Sequence, residues 1–341
     1  MSRPLLSPRA FARLPADRRP VLLVVVDTEE EFEWGKGFFR DRTSVHAMAG
    51  VPRFQEMCEE FGIRPTYVVD YPVVTQRAGY EALRGFSDAG RAVIGAHLHP
   101  WVTPPFDEGT DRRLSYPGNL DPALEARKLR TLGEAIEAVF GRRPVIYKAG
   151  RYGLGPATGA TLEALGYEFD LSVCPGVDLG TDDGGPDFLD FSPDPYWFGE
   201  GRALLEIPVT AGFVGPLARF GPGLKRLGAR RPFGALPALL GRTGALDRLR
   251  LSPEGMDFEQ HRRLTEALLR RGTRVLTLSL HSPSLRPGYT PYVRSEADLD
   301  AFLDRCRRFF DWFLNERNGI AETPHGVRER LARPESAASA A

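Results

Sequence analysis

The sequence predicts an α/β fold in which parallel strands alternate with helices and curl into a barrel, and three observations carry that reading. Apolar runs of strand length alternate with amphipathic runs of helical period over about 300 residues of a 341-residue chain. The first run, VLLVVV at 21–26, is rich in β-branched residues, the composition of a strand buried on both faces. Residues able to do chemistry recur where the strands end, the rim on which barrel enzymes assemble their sites. An open doubly wound sheet shares the first two features, and the third favours the barrel.

The elements follow in order. After the strand 21–26, PRFQEMCEEFGI (52–63) has helical spacing, RPTYVVDYPVV (64–74) reads as strand, EALRGFSDAG (81–90) as helix and RAVIGAHL (91–98) as strand. The alternation continues with helix 121–141, strand PVIYKAG (144–150), helix 156–167 and the short strand EFDLSV (168–173). Residues 176–200 are rich in Gly, Asp and Pro and read as an ordered loop before ALLEIPVT (203–210) returns as strand. Residues 213–250 open with Gly, Pro, Arg and Leu in short helical pieces, the pattern of a lid, an insertion or a partner surface. Helix 255–272, strand TRVLTLSLH (273–281) and the amphipathic helix 295–318 complete the body. One domain over 21–330 is expected, with an N-terminal extension (1–20) and a disordered tail (331–341).

Composition narrows the function. Lys plus Arg and Asp plus Glu number 45 each, so no net field draws the chain to nucleic acid or to an anionic membrane. No apolar stretch reaches the roughly 20 residues of a membrane span. Arginines and prolines occupy the first 20 residues where a secretory signal has its apolar centre, and a cytoplasmic protein is expected. The three cysteines, Cys58, Cys174 and Cys306, lack metal spacing and read as buried free thiols.

Strand alternation sends His97 and His99 of VIGAHLHPW to one side with Leu98 on the other, and it likewise aligns Asp27 with Glu29. A carboxylate with two imidazoles is a zinc-type ligand set that leaves positions for water and substrate. His281, leaving a buried strand into a loop stiffened by two prolines, is a candidate general acid. Lys148, Arg151, Asp170 and Ser172 occupy further strand ends, and Trp101, Tyr152 and Trp197 read first as core packing or rim cover and second as rings for stacking on a sugar. The acidic run Glu29, Glu30, Glu31 and Glu33 reads as a solvated loop face from which Glu29 alone reaches a metal. His46, His261 and His325 read as structural.

Taken in order, these motifs resemble the polysaccharide deacetylases, the NodB-like irregular (β/α) barrels of carbohydrate esterase family 4, and among them the WalW-like subgroup linked to lipopolysaccharide biosynthesis. The likeness spans residues 21–285. VVVDTEEEF stands for the family's strand-end TFDDG and GAHLHPW for its metal-binding HxxxH. YKAGRYG stands for its arginine motif, FDLSVCP for the D-x-S motif near the groove, and LSLHSPS for the acid-histidine motif. The resemblance implies a divalent metal, Zn2+ by type, held by His97, His99 and Asp27 or Glu29. It implies Asp27 as base, His281 as acid, and Arg151 or Lys148 in the role of the motif arginine. Lys148, Tyr152, Asp170 and Trp101 would then meet an N-acetylated amino sugar in a polysaccharide, lipopolysaccharide or glycan precursor. Thr28 stands where the family has its metal-binding Asp, and the histidines are spaced HxH. A saccharide-binding protein without turnover is therefore the alternative. A glycosidase with carboxylates roughly 5–10 Å apart is a third reading, which leaves the histidines without a role.

Overall fold

In the computed structural model, which describes residues 10–15, 18–32, 37–180, 183–199, 201, 203–230 and 232–331, the strand at Val21 is the hub of a ten-stranded sheet. The strands are β1 (Ala10–Phe11), β2 (Val21–Thr28), β3 (Thr66–Val69), β4 (Val93–Leu98), β5 (Ile146–Ala149), β6 (Phe169–Asp170), β7 (Tyr196–Phe198), β8 (Leu204–Glu206), β9 (Ala211–Val214), β10 (Asp247–Arg250), β11 (Val275–His281) and β12 (Ile320–Ala321). The helices are α1 (Val51–Glu60), α2 (Tyr71–Thr75), α3 (Arg77–Asp88), α4 (Pro122–Phe140), α5 (Thr158–Ala164), α6 (Gly221–Gly228), α7 (Leu236–Arg242), α8 (Phe258–Arg270), α9 (Glu296–Asp311) and α10 (Pro324–Arg330).

The sheet runs β1-β7-β8-β6-β5-β4-β3-β2-β11, parallel from β8 to β11, with β12 parallel to the start of β2. Between β8 and β11 the ladder is replaced by two loop residues. Thr277 N–H donates to Thr210 Oγ1 at 2.7 Å and Ser279 N–H to the Leu251 carbonyl at 3.1 Å. The result is an irregular barrel.

Both faces of β2 are buried, as its composition predicts. Leu22, Val24 and Val26 join the cluster that the helices cover, while Val21, Leu23 and Val25 join Val68, Ile146, Phe169 and Val275 on the inward side. The inward space is narrow. A Cβ on Gly95 would lie 2.9 Å from Val68 Cγ1 and 3.0 Å from the Ile146 carbonyl oxygen, so glycine lets β4 sit between its neighbours.

Four expectations change. Residues 71–74 of the expected strand 64–74 belong instead to α2, because Asp70 caps it through Val73 N–H and Pro72 starts a turn. The segment 176–200 is not all loop, since β7 pairs antiparallel with β8. The N-terminal extension enters the sheet, where β1 pairs with β7 and Ala12 and Leu14 are buried. The lid reading also changes: β9 and β10 form a hairpin around α6 and α7, and neither helix lines the cavity onto which Asp27, His97 and His281 open. The three cysteines are buried and free. Of the tail 331–341, all but Leu331 lies outside the described residues.

Glu125 of α4 carries a pH prediction. It is 1% exposed, accepts from Thr158 Oγ1 at 2.7 Å, and burial raises its pKa from 4.5 to about 7. The folded chain therefore holds this proton more tightly than the unfolded chain does. The resulting stabilisation is full below pH 4.5 and is lost as pH rises through 7. Glu125→Gln is expected to remove that dependence, flattening the stability profile by on the order of 3 kcal/mol between those limits. Urea midpoints measured at several pH values check it, and parallel profiles for the two proteins would refute it.

Candidate active site

Strand register gathers the site. Asp27 lies opposite His281 on the β2–β11 ladder, and His97 lies opposite Lys148 on the β4–β5 ladder. Asp27 continues the inward series Val21, Leu23 and Val25, and Lys148 follows the inward Ile146 by two residues. Glu29 and His99 follow their strands in the same phase, just past the ends of β2 and β4.

Glu29, His97 and His99 converge. The Nε2 atoms of His97 and His99 lie 3.5 and 3.4 Å from Glu29 Oε2, with ring centroids 4.6 Å apart. Each ring has committed its other nitrogen. Nδ1–H of His97 donates to the Lys148 carbonyl at 3.0 Å, and Nδ1–H of His99 donates to Glu30 Oε2 at 2.7 Å. A carbonyl accepts only, so a neutral His97 carries its proton on Nδ1 and turns the Nε2 lone pair towards Glu29. Burial, with His99 adding to it, holds His97 well below 6.5, and burial brings His99 to about 4. Both rings are therefore neutral at pH 7.

Burial also pushes Glu29 well above the usual carboxylate range, aided by Glu30, Asp27, Asp70 and Glu254. Its Oε1 is buried without a hydrogen-bond partner. A buried carboxyl with one orphan oxygen, facing two imidazole lone pairs, fits a divalent cation that would satisfy all three.

Asp27 and His281 form the second half. Lys148 Nζ donates to both oxygens of Asp27, at 2.5 and 2.7 Å, and His281 Nε2 lies 3.6 Å from Asp27 Oδ2. Burial opposes ionisation of Asp27, but Lys148, His97 and His281 together hold it at about 2. Nδ1–H of His281 donates to Glu254 Oε2 at 2.8 Å, and its backbone N–H donates to Glu254 Oε1 at 3.0 Å. Against the cost of burial, His281 and Arg250 keep the Glu254 carboxyl low. The imidazole is thus fixed with Nε2 towards Asp27.

These groups open onto a cavity of about 290 Å³ whose walls include Asp27, Glu29, His97, His99, Arg151, Tyr152, Arg250 and His281. Arg151 and Tyr152 are consecutive left-handed residues, φ 55° and 58°, in the turn after β5. The Arg151 guanidinium lies 3.9 Å from the Tyr116 ring centroid, and Arg250 Nη1 donates to Tyr152 Oη at 2.8 Å.

Gly150, just before them, has no room for a side chain. A Cβ would lie 2.4 Å from His99 Cδ2 and 2.6 Å from the Leu98 carbonyl oxygen. Gly150→Ala is expected to displace the His99 ring and to cost about 1–3 kcal/mol. Urea unfolding and imidazole NMR shifts check it; an unchanged midpoint with unchanged His99 resonances would rule it out.

Three residues expected to meet substrate do not line the cavity. Lys148 is 1% exposed and engaged with Asp27. Asp170 is fully buried, accepting from Ser172 N–H at 3.2 Å and lying opposite Glu206 in the sheet. Trp101 lies behind His99, stacked on it at 4.2 Å, with its indole N–H donating to Glu30 Oε1 at 2.7 Å. Trp197 is buried among the inward residues. The acidic run is also not a solvated face. Glu29 and Glu30 are 3% and 0% exposed and Glu31 caps the Ala47 N–H, while Glu33 lies outside the described residues. Glu30, Asp70, Glu254 and Arg250 had no assigned role in the sequence. Asp70 Oδ2 accepts from Glu30 N–H at 2.7 Å, and the Asp-Tyr-Pro start of α2 was its available signal.

No family model matches the chain, and no curated protein matches it. Among solved structures it is similar to a Mycobacterium smegmatis protein described as a polysaccharide deacetylase, at 18% identity and TM-score 0.56, over 97% of this chain and 99% of that one. It is also similar to Puue Allantoinase, at 17% identity and TM-score 0.54, over 91% and 89%. A Pseudomonas aeruginosa protein also described as a polysaccharide deacetylase follows at 16% identity and TM-score 0.50, over 91% and 90%. At these identities the likeness is one of fold, and the fold is the irregular barrel of the NodB-like deacetylases.

Proposed function

We propose that the chain is a metal-dependent N-deacetylase that hydrolyses the acetamide of an amino sugar in a polysaccharide, lipopolysaccharide or glycan precursor. One observation carries the reading: an imidazole–imidazole–carboxylate cluster stands beside an oriented Asp27–His281 pair in one cavity at the rim of this barrel. Two similar structures described as polysaccharide deacetylases support the substrate class. The ordered motifs support the WalW-like subgroup.

Glu29, His97 and His99 would hold the metal, and two imidazoles with a carboxylate suit Zn2+. Bound there, a divalent ion would polarise the amide carbonyl and bring the pKa of water towards about 7. Asp27, kept ionised by Lys148, takes a proton from the attacking water. His281, held through Nδ1 by Glu254, presents Nε2 to the leaving nitrogen and protonates it in its imidazolium form. Arg151 and Tyr152 shape the wall that positions the sugar. Thr28, at the position of the family's metal-binding Asp, donates its hydroxyl to the Val26 carbonyl at 2.9 Å, and Glu29 stands in its place. That departure is also what favours the second reading, a saccharide binder without turnover.

The test is acetate release from N-acetylglucosamine oligomers by protein purified with its metal retained, with allantoin assayed alongside because of the allantoinase neighbour. The expected result is about one metal per chain and acetate release that stops on chelation and returns with Zn2+. Saturable sugar binding without acetate would make the chain a binder. Glycan cleavage that survives chelation would favour paired-carboxylate chemistry.

A further inference from the structure

We infer that the α6–α7 insertion is a docking surface for an anionic lipid bilayer. The chain's zero net charge conceals a local imbalance. Between 215 and 246 stand Arg219, Lys225, Arg226, Arg230, Arg231 and Arg242, with no Asp or Glu. Arg226 is engaged with Asp190 at 2.7 Å and ties the insertion to the loop before β7. Arg219, Lys225, Arg230 and Arg242 form no ion pair among the described residues.

Apolar side chains accompany this charge without being buried. One side of the insertion packs, with Leu217, Leu224 and Leu240 against a small core of Leu189, Phe213, Ala218 and Leu246. The remainder is open. The helix α6 buries only Gly221 and α7 buries none of its residues, while Phe220, Phe233 and Leu239 are 49%, 45% and 59% exposed. Large apolar side chains held in water beside unpaired cations are the pattern of an interfacial anchor. The apolar groups enter the acyl boundary and the basic groups meet anionic headgroups. A second copy of this chain fits poorly. A two-fold contact would set Arg219, Lys225, Arg230 and Arg242 of one copy against the same residues of the other and bury like charges together. An anionic bilayer supplies both the missing charge and a fluid apolar phase that accepts these residues without a shaped pocket.

The test is flotation of the full chain with phosphatidylcholine vesicles, with and without about one-third phosphatidylglycerol, at 0.1 M salt. Binding to the anionic vesicles is expected, with little to the neutral ones and release at 1 M salt, where the screening length is about 3 Å. Lys225→Glu/Arg230→Glu/Arg242→Glu is expected to lower partitioning by ~100-fold or more, at roughly fivefold per basic residue. Phe220→Ser/Phe233→Ser/Leu239→Ser is expected to lower it by roughly tenfold per side chain. All six positions lie on the surface, so circular dichroism and acetate release should match the parent. Equal binding to neutral and anionic vesicles would overturn the inference. So would vesicle binding that both variants retain. Sedimentation showing a dimer that the serine variant abolishes would assign the face to a second copy. Retention of polyglutamate with no vesicle binding would assign it to an acidic protein.

Discussion

With His97 and His99 both replaced by alanine, the chain is expected to fold, to lose its divalent metal and to release acetate at least ~10³-fold more slowly. The magnitude follows from the several kcal/mol that a metal ion contributes to stabilising developing charge, about 1.4 kcal/mol for each factor of ten. Both imidazoles direct Nε2 at Glu29, and both are held neutral by burial. Removing them leaves the carboxyl alone, and one carboxylate does not retain a metal through gel filtration. Metal analysis and far-ultraviolet circular dichroism separate loss of the site from loss of the fold. Equal metal content in variant and parent would show that these histidines do not hold the ion.

Asp27→Asn is expected to lower kcat by about 10²–10⁴-fold, the range of a positioned general base. It should also destabilise the fold by about 3–5 kcal/mol, since Lys148 is left with a buried, unpaired charge. Lys148→Met should be destabilising for the complementary reason, and the double variant should recover most of the stability and none of the activity. A double-mutant cycle by urea unfolding checks the coupling; additive losses would show that the pair is not interacting. The pH dependence has a definite sign. The pair holds Asp27 at about 2 in the folded chain against 3.8 ordinarily, so its contribution is complete above about pH 4 and is lost as pH falls through 2. Without Lys148 the largest lowering influence is gone, and the acid limb of kcat should move to higher pH.

Much of this arrangement was legible because it rests on strand periodicity. The apolar run ending in Asp27 and the alternation that aligns His97 with His99 are local patterns, and register turns them into neighbours. The supports were not legible in the same way. Glu30 and Glu29 look like surface acids in a run of four, and only the packing of Trp101 and His99 over Glu30 removes them from water. Glu254 lies 27 residues before His281 and meets it because the chain leaving β10 runs along the edge of β11, where Ser279 N–H donates to the Leu251 carbonyl. No spacing rule in one sequence reports such a contact. Very short strands fail for another reason: Ala10–Phe11 and Tyr196–Phe198 are too brief to show a period, and they form by pairing, the first with the second and the second also with β8.

The seven consecutive pairs between β2 and β11 bear on how this chain can vary. A substitution along either strand alters one side chain, but an inserted or deleted residue shifts every later position to the opposite face and turns Asp27 or His281 away from its present partners. The hairpin of β9 and β10 already accommodates two helices between its arms without disturbing that register. Added length is therefore expected to be tolerated between β9 and β10, outside the β2–β11 ladder. The spacing between Asp27 and His281 is set by the backbone ladder that pairs them.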